Sequence, residues 1–79
     1  MNLTDRIASA LRAQGYTAKI QGSARYGQIT ILISSQSKGK FTPEGVVKID
    51  VAENGDETVG SSDCRRSAVG RIVADAVQA

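Results

Sequence analysis

From residue 28 to residue 34 every second position is a β-branched isoleucine: Ile29, Ile31 and Ile33 alternate with Thr30, Leu32 and Ser34. That period of two predicts a half-buried strand with the isoleucines facing a core. Residues 16–21 alternate in the same way. Tyr16, Ala18 and Ile20 fall on one face, and Thr17, Lys19 and Gln21 on the other. Between these two strands, residues 22–27 are bounded by glycines and read as a turn that closes a hairpin. A third strand is predicted over residues 46–51, with Val47, Ile49 and Val51 inward and Lys48 and Asp50 outward. Asn54-Gly55 then marks a tight turn, and a short returning strand is expected over residues 57–59.

Two other stretches follow the helical period. Leu3, Ile7, Ala10, Leu11 and Gln14 form one stripe, with Asn2 as the N-cap, Asp5 three residues on, and Gly15 as a left-handed C-cap contacted by Tyr16. Arg6 and Arg12 lie off that stripe and are expected in solvent. Ala68, Val69, Ile72, Val73, Ala76 and Val77 form the second stripe. Ser61, Ser62 and Asp63 precede it and read as its N-cap, which places Cys64, Arg65 and Arg66 in or beside the first turn and Gly70 on the far side. The element order is αββββα. The fold class expected is α+β: a two-layer sandwich in which both helices cover one face of an antiparallel sheet. The other face would carry Thr17, Lys19, Gln21, Thr30, Ser34, Lys48 and Asp50 to water. Residues 35–45 hold the only proline and read as the longest connection, a polar surface loop.

Length and composition narrow the classes. Seventy-nine residues make one domain over residues 1–79, and an aromatic content of 4% means an aliphatic core. No apolar run approaches the roughly 20 residues that span a bilayer, and the N-terminus opens on a helix start, so no membrane contact and a cytoplasmic location are expected. One cysteine and no histidine rule out an internal disulfide and a Cys/His metal site, and remove the commonest acid–base group. No enzyme activity, metal or cofactor is expected. Net charge is +2. Residues 1–48 carry Arg6, Arg12, Lys19, Arg25, Lys38, Lys40 and Lys48 against Asp5 and Glu44, while six of the eight acids follow. A positive side and a negative side are expected.

Little in the chain suggests chemistry. Residues 22–27 join two strands and are no phosphate-cradling loop. Glu53, Asp56 and Glu57 lack calcium-loop spacing. Cys64 beside two arginines is the one candidate nucleophile; without a histidine its expected role is packing, with an intermolecular disulfide as the alternative. A contact surface is expected from Lys38, Lys40 and Phe41 in the long loop, Tyr26, and the basic side chains Lys19, Arg25 and Lys48. Arg65 and Arg66 are the candidates for an anion contact.

Residues 60–77 resemble the end of double-stranded-RNA-binding domains, Gly-x-Gly-x-Ser-Lys-Lys-x-Ala-Lys-x-x-Ala-Ala-x-x-Ala-Leu. The two lysines correspond to Arg65 and Arg66, the first alanine to Ala68, a later one to Ala76, and the leucine to Val77. Ser62 stands for a glycine, Cys64 for the serine and Val69 for the third basic residue. The resemblance implies phosphate contacts by Arg65 and Arg66; a binder of duplex RNA or other nucleic acid is the alternative function, and it would use Lys38 and Lys40 on phosphates as well. In size and plan the chain also looks like small phage-encoded inhibitors of the anti-CRISPR type. That likeness implies a non-enzymatic monomer or homodimer that binds a host protein or nucleoprotein complex and blocks nucleic-acid access.

Overall fold

The computed structural model describes residues 2–23, 25 and 27–79, the side chain of residue 23 excepted. The elements run α1 (Leu3–Ala13), β1 (Thr17–Ser23), β2 (Gln28–Ser37), β3 (Lys40–Val51), β4 (Glu57–Cys64) and α2 (Ser67–Gln78). The strands pair antiparallel in chain order, so β1 and β4 are the sheet edges. The αββββα order is the one the hydrophobic periods predict.

Helix α1 starts as expected: Asn2 Oδ1 accepts from the Asp5 amide at 2.8 Å. It ends on Gly15 at φ 88°, where the Tyr16 amide reaches back to the Leu11 carbonyl at 3.0 Å. Ile29, Ile31, Ile33, Val47 and Ile49 are buried with Leu3, Ile7, Ala8 and Leu11 of α1 and Val69, Val73 and Ala76 of α2. Both helices therefore cover the face that carries the isoleucines. Lys19 and Lys48 are exposed on the other face.

Several expectations need correcting. Residues 35–45 are no loop. β2 runs on to Ser37, Lys38-Gly39 make a two-residue turn, and β3 starts at Lys40. Both turn residues have positive φ (52° and 79°), the geometry whose twist matches that of a hairpin. Pro43 is tolerated because β4 does not reach it: β3 pairs with β4 only from Gly45, opposite Cys64. β4 is also longer than expected and continues through Cys64. Ser61, Ser62 and Asp63 are strand residues, and the α2 N-cap is Arg66, without a side-chain capping bond. Arg65 and Arg66 precede the helix instead of lying in its first turn. The buried stripe of α2 is Val69, Val73 and Ala76; Ile72 is half-buried and Ala68 exposed. Gly70 faces β4, because a Cβ there would lie 3.9 Å from Cys64 Cβ. Arg6 and Arg12 are not merely solvated. Arg6 donates to the Ala76 and Val77 carbonyls (3.3 and 3.4 Å), a cation at the C-terminus of α2. Arg12 donates to the Ala18 carbonyl on edge strand β1 (2.6 Å).

Candidate functional site

The β2–β3 hairpin outruns its neighbours. β1 begins opposite Ser34 and β4 ends opposite Gly45, so residues 35–37 and 40–42 pair only with each other. The result is a two-stranded arm on one end of the sheet, and the molecule measures 42 Å along its longest axis against 23 and 20 Å across. Lys38 sits at the tip. Phe41 pairs with Gln36 one step back and is 61% exposed.

The arm is rooted by a buried carboxylate. Between Ile33 and Ser34 the β2–β3 register slips, which leaves Glu44 as the extra residue of a bulge between Pro43 and Gly45. Glu44 is 5% exposed. Its Oε2 accepts from the Arg66 guanidinium, and its carbonyl accepts from the Arg65 amide at 2.9 Å. The Arg66 guanidinium also lies over the Tyr16 ring, 5.8 Å from its centre. The root of the arm is thereby tied to the α2 N-cap and to the end of α1. The hydrogen bond to Glu44 holds Arg66 above its ordinary pKa, against the opposing effect of desolvation.

Strand register places the remaining candidates. Cross-strand partners share a face, and residues alternate along each strand. On the uncovered face Phe41, Pro43, Leu32 and Val46 follow one another from the arm towards the sheet centre; Leu32 lies between Val46 on β3 and Lys19 on β1. Leu32 and Val46 are half-buried, Pro43 exposed. Lys48 lies opposite Thr30 on the same face. Lys19, Lys48 and Phe41 thus lie on one surface, an apolar strip with lysines beside it. Asp50 and Asp63 lie on the β3–β4 side of that face.

Arg25 is not part of this group. It lies in the β1–β2 connection, at the end of β2 away from the arm, roughly 30 Å from Lys38 by strand rise. Tyr26 lies outside the described residues. Arg65 and Arg66 sit at the arm end, where β4 finishes, and both are exposed, but they are not equivalent: the Arg66 guanidinium is engaged by Glu44. Cys64 is half-buried at the end of β4, its Sγ 3.7 Å from Ser62 Oγ, and packs against the core. Sequence reasoning did not single out Glu44. The available signal was its isolation, as the only acid between Asp5 and Asp50.

Charge is sorted along the long axis. Lys38, Lys40, Arg65, Arg66 and Arg12 lie at the arm end with Glu44 and Asp63. Asp5, Asp50, Glu53, Asp56 and Glu57 lie at the opposite end with Arg6 and Arg25. Among the described residues no group of acidic or cysteine side chains is placed to hold a metal ion, and no helix is long and apolar enough to cross a membrane. No family model, curated protein or solved structure matches the chain.

Proposed function

We propose that the chain is a non-enzymatic binding module that docks the uncovered face of its sheet, with the arm as its leading edge, on a partner protein. One observation carries this reading: a strip of Phe41, Pro43, Leu32 and Val46 left on the solvent side of a sheet whose other side is covered over its centre by two helices. An apolar centre with a polar rim is the anatomy of protein interfaces, and an exposed aromatic is the usual anchor. The partner it fits offers an apolar pocket for Phe41 and acidic side chains opposite Lys19 and Lys48. The likeness in size and plan to small phage-encoded inhibitors of the anti-CRISPR type supports a host nucleic-acid-processing complex as that partner, with blocked nucleic-acid access as the consequence.

Affinity capture from host lysate tests this with the wild-type chain, Phe41→Ala, Leu32→Ser and, on the helix layer, Ala68→Glu. A stoichiometric partner is expected with the wild type and Ala68→Glu, and is lost with the two outer-face variants. Equal recovery by all four, or no stoichiometric partner with the wild type, contradicts the reading.

A further inference from the structure

We propose that the arm is a second interaction surface, one that enters the major groove of double-stranded DNA. It uses the opposite face and the tip of the same ribbon that carries Phe41 and Pro43 of the apolar docking strip. Residues 34–43 read Ser-Ser-Gln-Ser-Lys-Gly-Lys-Phe-Thr-Pro, without an acid. Ser35, Ser37, Lys40 and Thr42 share the helix-side face of the ribbon by register, Gln36 lies on the other face, and Lys38 is at the tip. These are short hydroxyl and amide groups that can exchange hydrogen bonds with base edges, beside two ammonium groups for phosphates.

Dimensions and charge select the partner. A two-stranded ribbon fits the B-DNA major groove, about 12 Å wide and about 8.5 Å deep. Three residues of strand reach about 10 Å, enough to bring the tip to the groove floor. The major groove of duplex RNA is too narrow and deep for such an element. Arg65, exposed at the arm's root, is placed for the flanking backbone. The acids Asp5, Asp50, Glu53, Asp56 and Glu57 sit at the far end, so the phosphate field orients the molecule arm first. Lys38 holds φ 52° in a turn position where asparagine or glycine costs less.

Fluorescence anisotropy with labelled DNA and RNA duplexes of one sequence, from about 50 to about 200 mM salt, tests the proposal. The intact chain is expected to bind DNA more tightly than RNA. Lys38→Asn combined with Lys40→Gln, which keeps the turn geometry, is expected to lower DNA affinity roughly tenfold at low salt and flatten the log–log salt slope by about two. Leu32→Ser, which disables the docking strip, is expected to leave the DNA titration unchanged. Tighter binding to RNA, an unchanged slope in the lysine variant, no salt-sensitive DNA binding, or an equal loss in Leu32→Ser overturns the proposal. None of these results depends on whether a protein partner is captured.

Discussion

Lys38 and Gly45 show how single residues set the arm. Lys38 lies in the left-handed region at φ 52°, which disfavours a side chain with a full Cβ environment and favours asparagine. Lys38→Asn is therefore expected to raise unfolding free energy by roughly 0.5 kcal/mol, read as an upward shift in the denaturant midpoint. Gly45 is required for a different reason. A Cβ there would meet the Asp63 carbonyl oxygen at 2.6 Å and Cys64 Cα at 3.0 Å, both backbone atoms. Gly45→Ala must part β3 from β4 where the arm begins, at an expected cost of about 1–3 kcal/mol in chemical denaturation. Phe41 behaves oppositely. At 61% exposure its truncation to alanine should change stability by less than about 0.5 kcal/mol while removing binding.

At the scale of elements, the arm owes its direction to the Glu44–Arg66 pair. Arg66→Ala leaves a nearly buried carboxylate without its cation, and faster hydrogen exchange is expected at the amides of residues 40–42 and 44 while Ile31 and Val47 stay protected. Arg66→Lys should restore part of that protection. Because the carboxylate of Glu44 holds the Arg66 pKa above its ordinary value in the folded state, the contribution of this arginine's own charge is present below the unfolded value and is lost as pH rises through the folded one, in strongly alkaline solution. The central strands and both helices were legible because each has one apolar face, and a face of that kind leaves a period of two or of 3.6 in the sequence. The arm was not. Neither face of residues 35–42 is buried, so no alternation marks it, and Pro43 suggested a break. The same reason hid the far half of β4, where Ser61-Ser62-Asp63 carried cap chemistry but lies on an edge strand. The Glu44–Arg66 contact joins residues 22 apart across a bulge, and no local pattern announces a bulge.

The whole molecule is an aliphatic core with an uncovered sheet face and a charge gradient along its length. The core depends on few side chains: Ile31 is fully buried between the two helices and the sheet centre, and Ile31→Ala is expected to cost about 2–5 kcal/mol. For a chain of this size each kcal/mol is worth about 4–8 °C in thermal midpoint, so that variant should melt far lower in a thermal scan. Stability resides in the core between the sheet and the helices; the central claim is that the partner protein docks on the uncovered face. Site-specific photocrosslinking in cells that express the chain tests that division most directly, with p-benzoylphenylalanine placed in turn at Phe41, Val46, Ala68 and Asp75. Adducts of one defined mass from positions 41 and 46, and none from 68 and 75, are the predicted result. Adducts from the helix positions alone would contradict it.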